Sequence, residues 1–340
     1  MEYKKQVIKN YSAIDLTKFI MAIVVVMIHS GVMSSMKGGL IYQIYDVIQK
    51  MAVPFFFIAS AYFLFYRMQG DYSSQDNIEK VKKYVSKMAK LYIVWSIIYL
   101  PLAIYNYVQI GNDWLKSIVA YIREFTLCGF HHYSVQLWYL LSAVYGAITI
   151  HFLLKHGWKE WKILILSFLV YAMAYTINNM IENQDKLQGI LAVTIKVIQK
   201  VFLTTNILNG FCYLSIGMCI AKYKPKIKFG VLLVINILLF MIMIYFNNFI
   251  LLLLLNICFF MLVLSINLKD REIYYYFREA SIIIYFSHML FNFVTDRAGI
   301  KEYSVMLGFV IILSCSLMVS ILLIAIQKRR NYKFYKVLFH

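Results

Sequence analysis

The amino-acid sequence predicts an all-α membrane protein, a polytopic bundle of about ten transmembrane helices with both termini in the cytoplasm. The first observation behind this prediction is the composition: 62% of the 340 residues are hydrophobic and only 15% are charged. A soluble domain carries about 25% charged residues. The apolar surface of this chain must therefore face lipid, and we interpret residues 1–340 as a single membrane domain.

The second observation is the spacing of the apolar stretches. A membrane-spanning helix needs about 20 mostly apolar residues, and ten stretches approach this length. They lie at about 14–33, 47–66, 89–108, 136–154, 161–180, 205–222, 228–246, 249–267, 279–295 and 303–326. Because the first stretch lacks a small-residue cleavage site and further stretches follow it, we predict a span there and not a cleaved signal.

The third observation is the distribution of basic residues. If the N-terminus is cytoplasmic, the cytoplasmic connections hold 24 of the 34 lysines and arginines, and the outer connections hold 9. This bias follows the positive-inside rule, and it predicts a multi-pass protein of the cell membrane. The two longer outer connections, 109–135 and 181–204, are predicted to form a shallow cap or re-entrant segments.

The charge and the cysteines argue against two other classes of protein. The net charge of +18 would suit a nucleic-acid-binding protein if the cations shared one face. They lie between apolar stretches instead, so we predict the lipid bilayer as a partner and no nucleic acid. The five cysteines have no metal-ligand spacing; we interpret them as packing residues and predict no metal site.

Ionisable residues inside membrane spans are costly, which makes them candidates for function. In the first stretch, Asp15 and Lys18 lie near the cytoplasmic end, and His29 follows Lys18 after 11 positions. This spacing corresponds to about 16 Å along a helix and about 20° around it, so Lys18 and His29 share a face. The alternative interpretation is that Lys18 snorkels to the surface and His29 only packs.

The ninth stretch carries a second polar stripe. Ser281, Tyr285, His288 and Asn292 are spaced by four, three and four residues, which places them on one helix face. Such a stripe is also typical of hydrogen bonds that join helices in a bundle. A second membrane-embedded histidine favours a polar cavity shared with His29.

Two further groups are candidates. Ser60 is a small polar residue within the second stretch, six residues after Pro54; a proline kink with close packing is the alternative interpretation there. Lys87 and Lys90 lie where the third stretch enters the membrane, in the segment KVKKYVSKMAKLY. Ordinary positive-inside charge explains these lysines, and so does a site for an anionic cofactor at the cytoplasmic face.

Five patterns in this order resemble the acyltransferase-3 family of integral membrane acyltransferases. The family's basic residue, ten residues and histidine correspond to Lys18 and His29. Its Pro-Phe-Phe-x-x-Ser-Gly pattern resembles PFFFIASA at 54–61, and its Arg-x-x-Arg resembles Lys87-Met88-Ala89-Lys90. Its Leu-Trp-Phe-Leu resembles 137–140, and its Ser-x-x-Ile-Tyr-Leu-x-His resembles 281–288. Lysine replaces arginine three times, and lysine lacks the planar fork that pairs phosphate oxygens.

The resemblance implies a transfer of an acyl group, usually acetyl, from cytoplasmic acyl-CoA to a hydroxyl of an extracytoplasmic glycan. Lys18, Lys87 and Lys90 are expected to bind the charged end of acyl-CoA, with Asp15 holding Lys18. His29 is expected to act as the general base on the acceptor hydroxyl.

The resemblance gives less definite roles to three other residues. His288, Tyr285 or Ser60 is expected to orient the acceptor or to stabilise the oxyanion. Direct transfer and an acyl-histidine intermediate both remain open, and so do the acceptor, the acyl chain length and a homodimer.

Other functions remain open at this point. The chain is also similar to the membrane part of serine racemases of the vancomycin-resistance type, which are associated with amino-acid handling. A transporter of a small polar solute or amino acid would use the histidines as a proton relay, although matched broken spans, which are typical of transporters, are not evident. A non-catalytic assembly partner would need neither histidine.

Overall fold

The computed structural model describes residues 11–111, 113–330 and 333–339, and the regular structure within these ranges is helical. The α-helices are α1 (Ser12–Ser30), α2 (Leu40–Tyr66), α3 (Gln75–Ile110), α4 (Trp114–Arg123), α5 (Trp138–Lys155), α6 (Glu160–Glu182), α7 (Gly189–Phe202), α8 (Asn209–Tyr223), α9 (Phe229–Tyr245), α10 (Phe249–Ser265), α11 (Glu272–Arg297), α12 (Ile300–Tyr303), α13 (Val305–Arg330) and α14 (Lys333–Phe339). A π-helical turn, Glu124–Cys128, follows α4.

Each of the ten predicted stretches overlaps one of these helices. Fewer than ten of the described helices, however, are long and apolar enough to cross a membrane. Among the described residues, six helices are long and apolar enough to cross a membrane alone: α1, α2, α3, α5 with the turn before it, α6 and α13. The pair α7 and α8, which meet at 68°, would make a seventh. The all-helical membrane fold is confirmed, whereas ten crossings and cytoplasmic termini stay predictions.

The shortfall has a simple cause in helix length and charge. The apolar helices α9 and α10 have 17 residues each, and α11 carries charged residues in its first and last turns. The basic residues predicted to mark the cytoplasm before position 11 lie outside the described residues.

The basic segment before the third stretch is helical and not a connection. Helix α3 begins at Gln75 instead of near residue 89. Its first turns bury Ile78, Val81 and Met88 and expose lysines on the other side, so an amphipathic helix continues directly into the span. Lys87 and Lys90 therefore lie on a rigid element at the membrane entrance.

Helix α8 lies at the centre of the bundle, and small residues bring its neighbours close. A Cβ added to Gly217 would collide with the carbonyl oxygen of Ile58 on α2. A Cβ added to Gly146 of α5 would lie 2.7 Å from the backbone nitrogen of Phe211 on α8. Close approach through small residues is the main way that helices associate in membranes, so these glycines set the spacing of α2, α5 and α8.

Helices α1 and α11 run parallel and in register. The rings of Phe19 and Phe277 stack with centroids 4.8 Å apart near one end of the contact. The rings of His29 and His288 meet near the other end, and the two pairs are separated by nearly equal numbers of residues on both helices. This register places the polar residues of the first and ninth predicted spans against each other.

Candidate functional site

His29 of α1 and His288 of α11 form a histidine pair inside the bundle. Their ring centroids lie 5.2 Å apart with the planes inclined by 31°. His288 is completely buried, and its Nδ1 lies 2.9 Å from the carbonyl oxygen of Ile284. Because a carbonyl oxygen only accepts hydrogen bonds, Nδ1 donates, and Nε2 of the neutral ring carries the lone pair. Within the described ranges Nε2 has no hydrogen-bond partner, so a basic nitrogen lies next to His29.

The stripe on α11 faces inward, as the spacing predicts. Ser281, His288 and Asn292 are buried. The Tyr285 hydroxyl donates to the carbonyl oxygen of Gln136 at 2.6 Å, so the structure uses it to fix the turn before α5. Tyr285 also packs edge-on against Tyr139 at 5.8 Å, which brings the fourth predicted span to the same region.

A lysine contacts Asn292, the last residue of the polar stripe on α11. Lys301 of α12 donates from Nζ to the side-chain oxygen of Asn292 and pairs with Asp296 at 2.9 Å. Its side chain crosses α13 at Gly308, where a Cβ would lie 2.7 Å from the Lys301 Cγ. Lys301 lies within electrostatic reach of His29, so a cation lies on the predicted outer side of the pair.

Charged residues gather at the opposite end of α1 and α11. The carboxylate of Asp15 lies 3.7 Å from the guanidinium of Arg278. Lys18 lies within electrostatic reach of Asp15, Arg278 and Lys87, and its Nζ lies 5.0 Å from the centre of the Phe63 ring. Lys90 is exposed on α3 and makes no ion pair with the described residues. The structure therefore brings together Lys18, Asp15 and Lys87, but not Lys90.

A cavity of about 260 Å³ opens at this end. It is lined by Ser12, Asp15, Asp270, Arg271, Glu272, Tyr274, Tyr275 and Arg278. The lining includes carboxylates, guanidinium groups and tyrosine rings, so it offers both hydrogen-bond donors and hydrogen-bond acceptors to a polar ligand.

Ser60 lies apart from the histidine pair. Its hydroxyl is 2.9 Å from the hydroxyl of Tyr84 on α3, and it lies less than one helical turn from Phe63, which contacts Lys18. No hydrogen bond joins Ser60 to either histidine among the described residues. The predicted role of Ser60 at the acceptor hydroxyl has no contact to support it.

Comparison with known proteins decides the family. The profile of a family described as "Acyltransferase domain" matches residues 11–325, nearly the whole chain. The chain belongs to the acyltransferase-3 family. No solved structure matches it.

Curated relatives of this acyltransferase-3 protein match a smaller part of the chain. Two amino-acid racemases of Enterococcus faecalis are 33% and 31% identical over 42% and 47% of it. A serine/alanine racemase of Enterococcus gallinarum is 28% identical over 42%. The chain spans about a fifth of the length of these relatives, in agreement with the resemblance to vancomycin-resistance-type racemases.

Three residues of the candidate site were not singled out from the sequence. Arg278 lies three residues before Ser281, so the stripe on the ninth stretch extends to it and would have indicated it. Glu279 is buried beside Arg278 and accepts a hydrogen bond from Tyr335 of α14. Lys301 lies in a short connection where no periodicity operates, and only the folded structure shows its approach to Asn292.

Proposed function

We propose that this acyltransferase-3 protein of the cell membrane transfers an acyl group, usually acetyl, from cytoplasmic acyl-CoA to a hydroxyl of an extracytoplasmic glycan or other cell-envelope carbohydrate. The observation that carries the proposal is the contact between His29 and His288, with ring centroids 5.2 Å apart. Two neutral imidazoles inside an apolar bundle each carry a nitrogen lone pair that can take the proton of a hydroxyl as that hydroxyl attacks.

The charged end of acyl-CoA would bind at the end of α1 and α11 that carries the cations. Lys18, Lys87 and Arg278 supply positive charge there, and the 260 Å³ cavity opens beside Arg278. Lysine pairs with phosphate as a point charge, and arginine adds a planar pair of donors. This chain has lysine at positions 18, 87 and 90, where the family pattern usually has arginine. Arg278 would therefore provide the planar guanidinium group for phosphate binding at this end of the bundle. The flexible, mostly neutral arm of the substrate would extend from there towards the histidine pair.

The transfer is a single displacement at the thioester. The acceptor hydroxyl oxygen attacks the carbonyl carbon while His29 takes the hydroxyl proton. The carbon–sulfur bond breaks, and the CoA thiolate leaves and takes the proton back from His29, so charge and protons balance. His288, whose Nε2 is free of partners within the described residues, would orient His29 or the incoming hydroxyl. Lys301 would place positive charge near the oxyanion.

The test is acetyl transfer from labelled acetyl-CoA to cell-envelope glycan in membranes that contain the wild-type protein or His29→Ala. We expect the loss of a general base to lower the rate by about 10²–10⁴-fold. His156→Ala is the matched control, because His156 is exposed at the end of α5. Full activity of His29→Ala would contradict the proposal.

A second candidate is transport of a small polar solute or amino acid, with the histidine pair as a proton relay. The similarity to proteins named as amino-acid racemases favours it. Uptake of labelled serine or alanine into vesicles that contain no acyl-CoA distinguishes the two. Uptake that depends on His29 would support transport, whereas transfer without uptake would support the acyltransferase.

A further inference from the structure

A second histidine site lies in the cap segment, which we define as residues 114–137. The segment contains α4 and the π-helical turn Glu124–Cys128; such turns are rare and occur frequently at functional sites. The Tyr92 hydroxyl donates to the carbonyl oxygen of Phe125 at 2.6 Å, and the contact of Tyr285 with Gln136 joins the same segment to α11. The cap segment is therefore held on α3 and on α11, the helix that carries His288.

The carboxylate of Glu124 is the centre of this second site. It accepts hydrogen bonds from the Tyr107 hydroxyl, the Arg123 guanidinium and the His131 ring, each at 2.9 Å. Burial acts to raise the pKa of Glu124, but the hydrogen bonds from His131 and Tyr107 outweigh it and hold that pKa below its ordinary value. Glu124 is thus ionised at neutral pH and acts only as an acceptor.

The ionised carboxylate orients the His131 ring. Since Glu124 only accepts, Nδ1 of His131 donates to it, and Nε2 points away from the carboxylate. His131 is 4% exposed, and its Nε2 is buried with no hydrogen-bond partner in the described parts of the chain. The ring of Tyr121 stacks on it at 4.1 Å with the planes 1° apart, so the direction of Nε2 is fixed.

A purely structural role of His131 would explain how its ring is held, but not why its Nε2 has no partner among the described residues. The bond to Glu124 and the stack on Tyr121 together hold the ring, yet neither uses Nε2. A buried polar atom without a hydrogen-bond partner is costly. The neighbouring Tyr133 packs against Phe293 at 4.8 Å, and Phe293 lies five residues beyond His288 on α11. The cap segment thus contacts α11 at Tyr285 and at Phe293, which precede and follow His288 on that helix, and under the predicted topology this is the outer part of the bundle, where the acceptor would enter.

We propose that His131, oriented by Glu124, is a binding subsite for a hydroxyl group of the acceptor, separate from the histidine pair that performs the transfer. A hydroxyl both donates and accepts hydrogen bonds, so an alcohol or a sugar is the chemical class that pairs with Nε2. The inference rests on the proposed function. It assigns His131 to positioning of the acceptor and not to the chemistry.

The experiment measures transfer from labelled acetyl-CoA to a water-soluble glycan fraction from envelopes of cells that lack the gene. The variants are His131→Gln and Glu124→Gln, and His132→Gln is the matched control, because His132 is the exposed neighbouring histidine. We expect both variants to raise the half-saturating amount of glycan about tenfold, which corresponds to one lost hydrogen bond. The half-saturating acetyl-CoA and the acetyl-CoA hydrolysis without glycan are expected to change less than twofold.

Each outcome separates the two proposals. Absence of transfer by the wild-type protein would contradict the proposed function. Transfer by the wild-type protein with unchanged glycan saturation in His131→Gln would overturn this inference alone. If His131→Gln changes the glycan saturation, the acetyl-CoA saturation and the hydrolysis rate to the same extent and also lowers the melting temperature in detergent, the inference is overturned as well, since His131 would then only stabilise the cap segment.

Discussion

Asp15 of α1 and Arg278 of α11 approach to 3.7 Å at one end of the helix interface that holds His29 against His288 at the other. Both contacts lie on the same pair of parallel helices, so the α1–α11 interface has charged side chains at one end and two uncharged imidazoles at the other. The charged end carries carboxylates as well as cations, and under the proposed function its cations would bind the anionic end of acyl-CoA. This relationship leads to predictions about each end of the interface.

Arg278→Gln is expected to weaken binding of acetyl-CoA more than the transfer step. Loss of a charge-assisted contact with phosphate should raise the half-saturating acetyl-CoA about tenfold, with the maximal rate changed less than threefold. The measurement is transfer at varied acetyl-CoA and saturating glycan. Arg297→Gln is the control, because Arg297 lies in the last turn of the same helix and packs on Tyr105. Equal effects of both variants would show that Arg278 has no specific role.

His288→Gln is expected to lower the maximal rate by about 10²-fold, because the glutamine cannot serve as a basic partner of His29. Residues that act as a unit are not additive. The double variant His29→Ala/His288→Gln should therefore be no slower than His29→Ala alone, as measured by single-turnover transfer. Rate losses that multiply in the double variant would show that the two histidines act independently.

The sequence predicted each half of the histidine pair, but not the contact between them. The spacing of Lys18 and His29 and the stripe from Ser281 to Asn292 follow from helix periodicity, which is local. The choice of α11 as the partner of α1 depends on how long apolar surfaces pack, and in lipid many such surfaces are chemically alike. The contact of His29 with His288 therefore becomes visible only in the register of α1 and α11, and a cavity shared by the two histidines stays a prediction.

Other features depend on local geometry that composition does not encode. The first turns of α3 read as a basic connection because of their lysines, yet Ile78, Val81 and Met88 provide a buried helix face. The Glu124 and His131 site needs a π-helical turn and residues from two elements, and neither has a periodic signal. The ten apolar stretches predicted where the helices lie, but the length and composition of those helices support only six or seven crossings within the described residues.

Gly217→Ala is expected to destabilise the bundle. A methyl group there would collide with the Ile58 carbonyl oxygen at the contact of α8 with α2, and overpacking of this kind costs about 1–3 kcal/mol. The melting temperature in detergent should fall by several degrees. Gly230→Ala is the control, because a Cβ at Gly230 of α9 meets nothing within 4 Å. A Gly217→Ala melting temperature equal to that of Gly230→Ala would show that the helices shift freely at this contact.

The Glu124 carboxylate is expected to give the protein a pH-dependent stability on the acid side. Its folded-state pKa is lowered, so its stabilising effect is complete above the unfolded pKa of about 4.3 and is lost as the pH falls through the folded pKa. Wild type should therefore melt about 2–4 °C above Glu124→Gln at pH 7, and the difference should shrink as the pH falls below about 4.3. The exposed Glu302 is the control: Glu302→Gln should follow the wild-type curve throughout. A difference between wild type and Glu124→Gln that stays undiminished at the lowest pH at which both proteins fold would contradict the network of donors around this carboxylate.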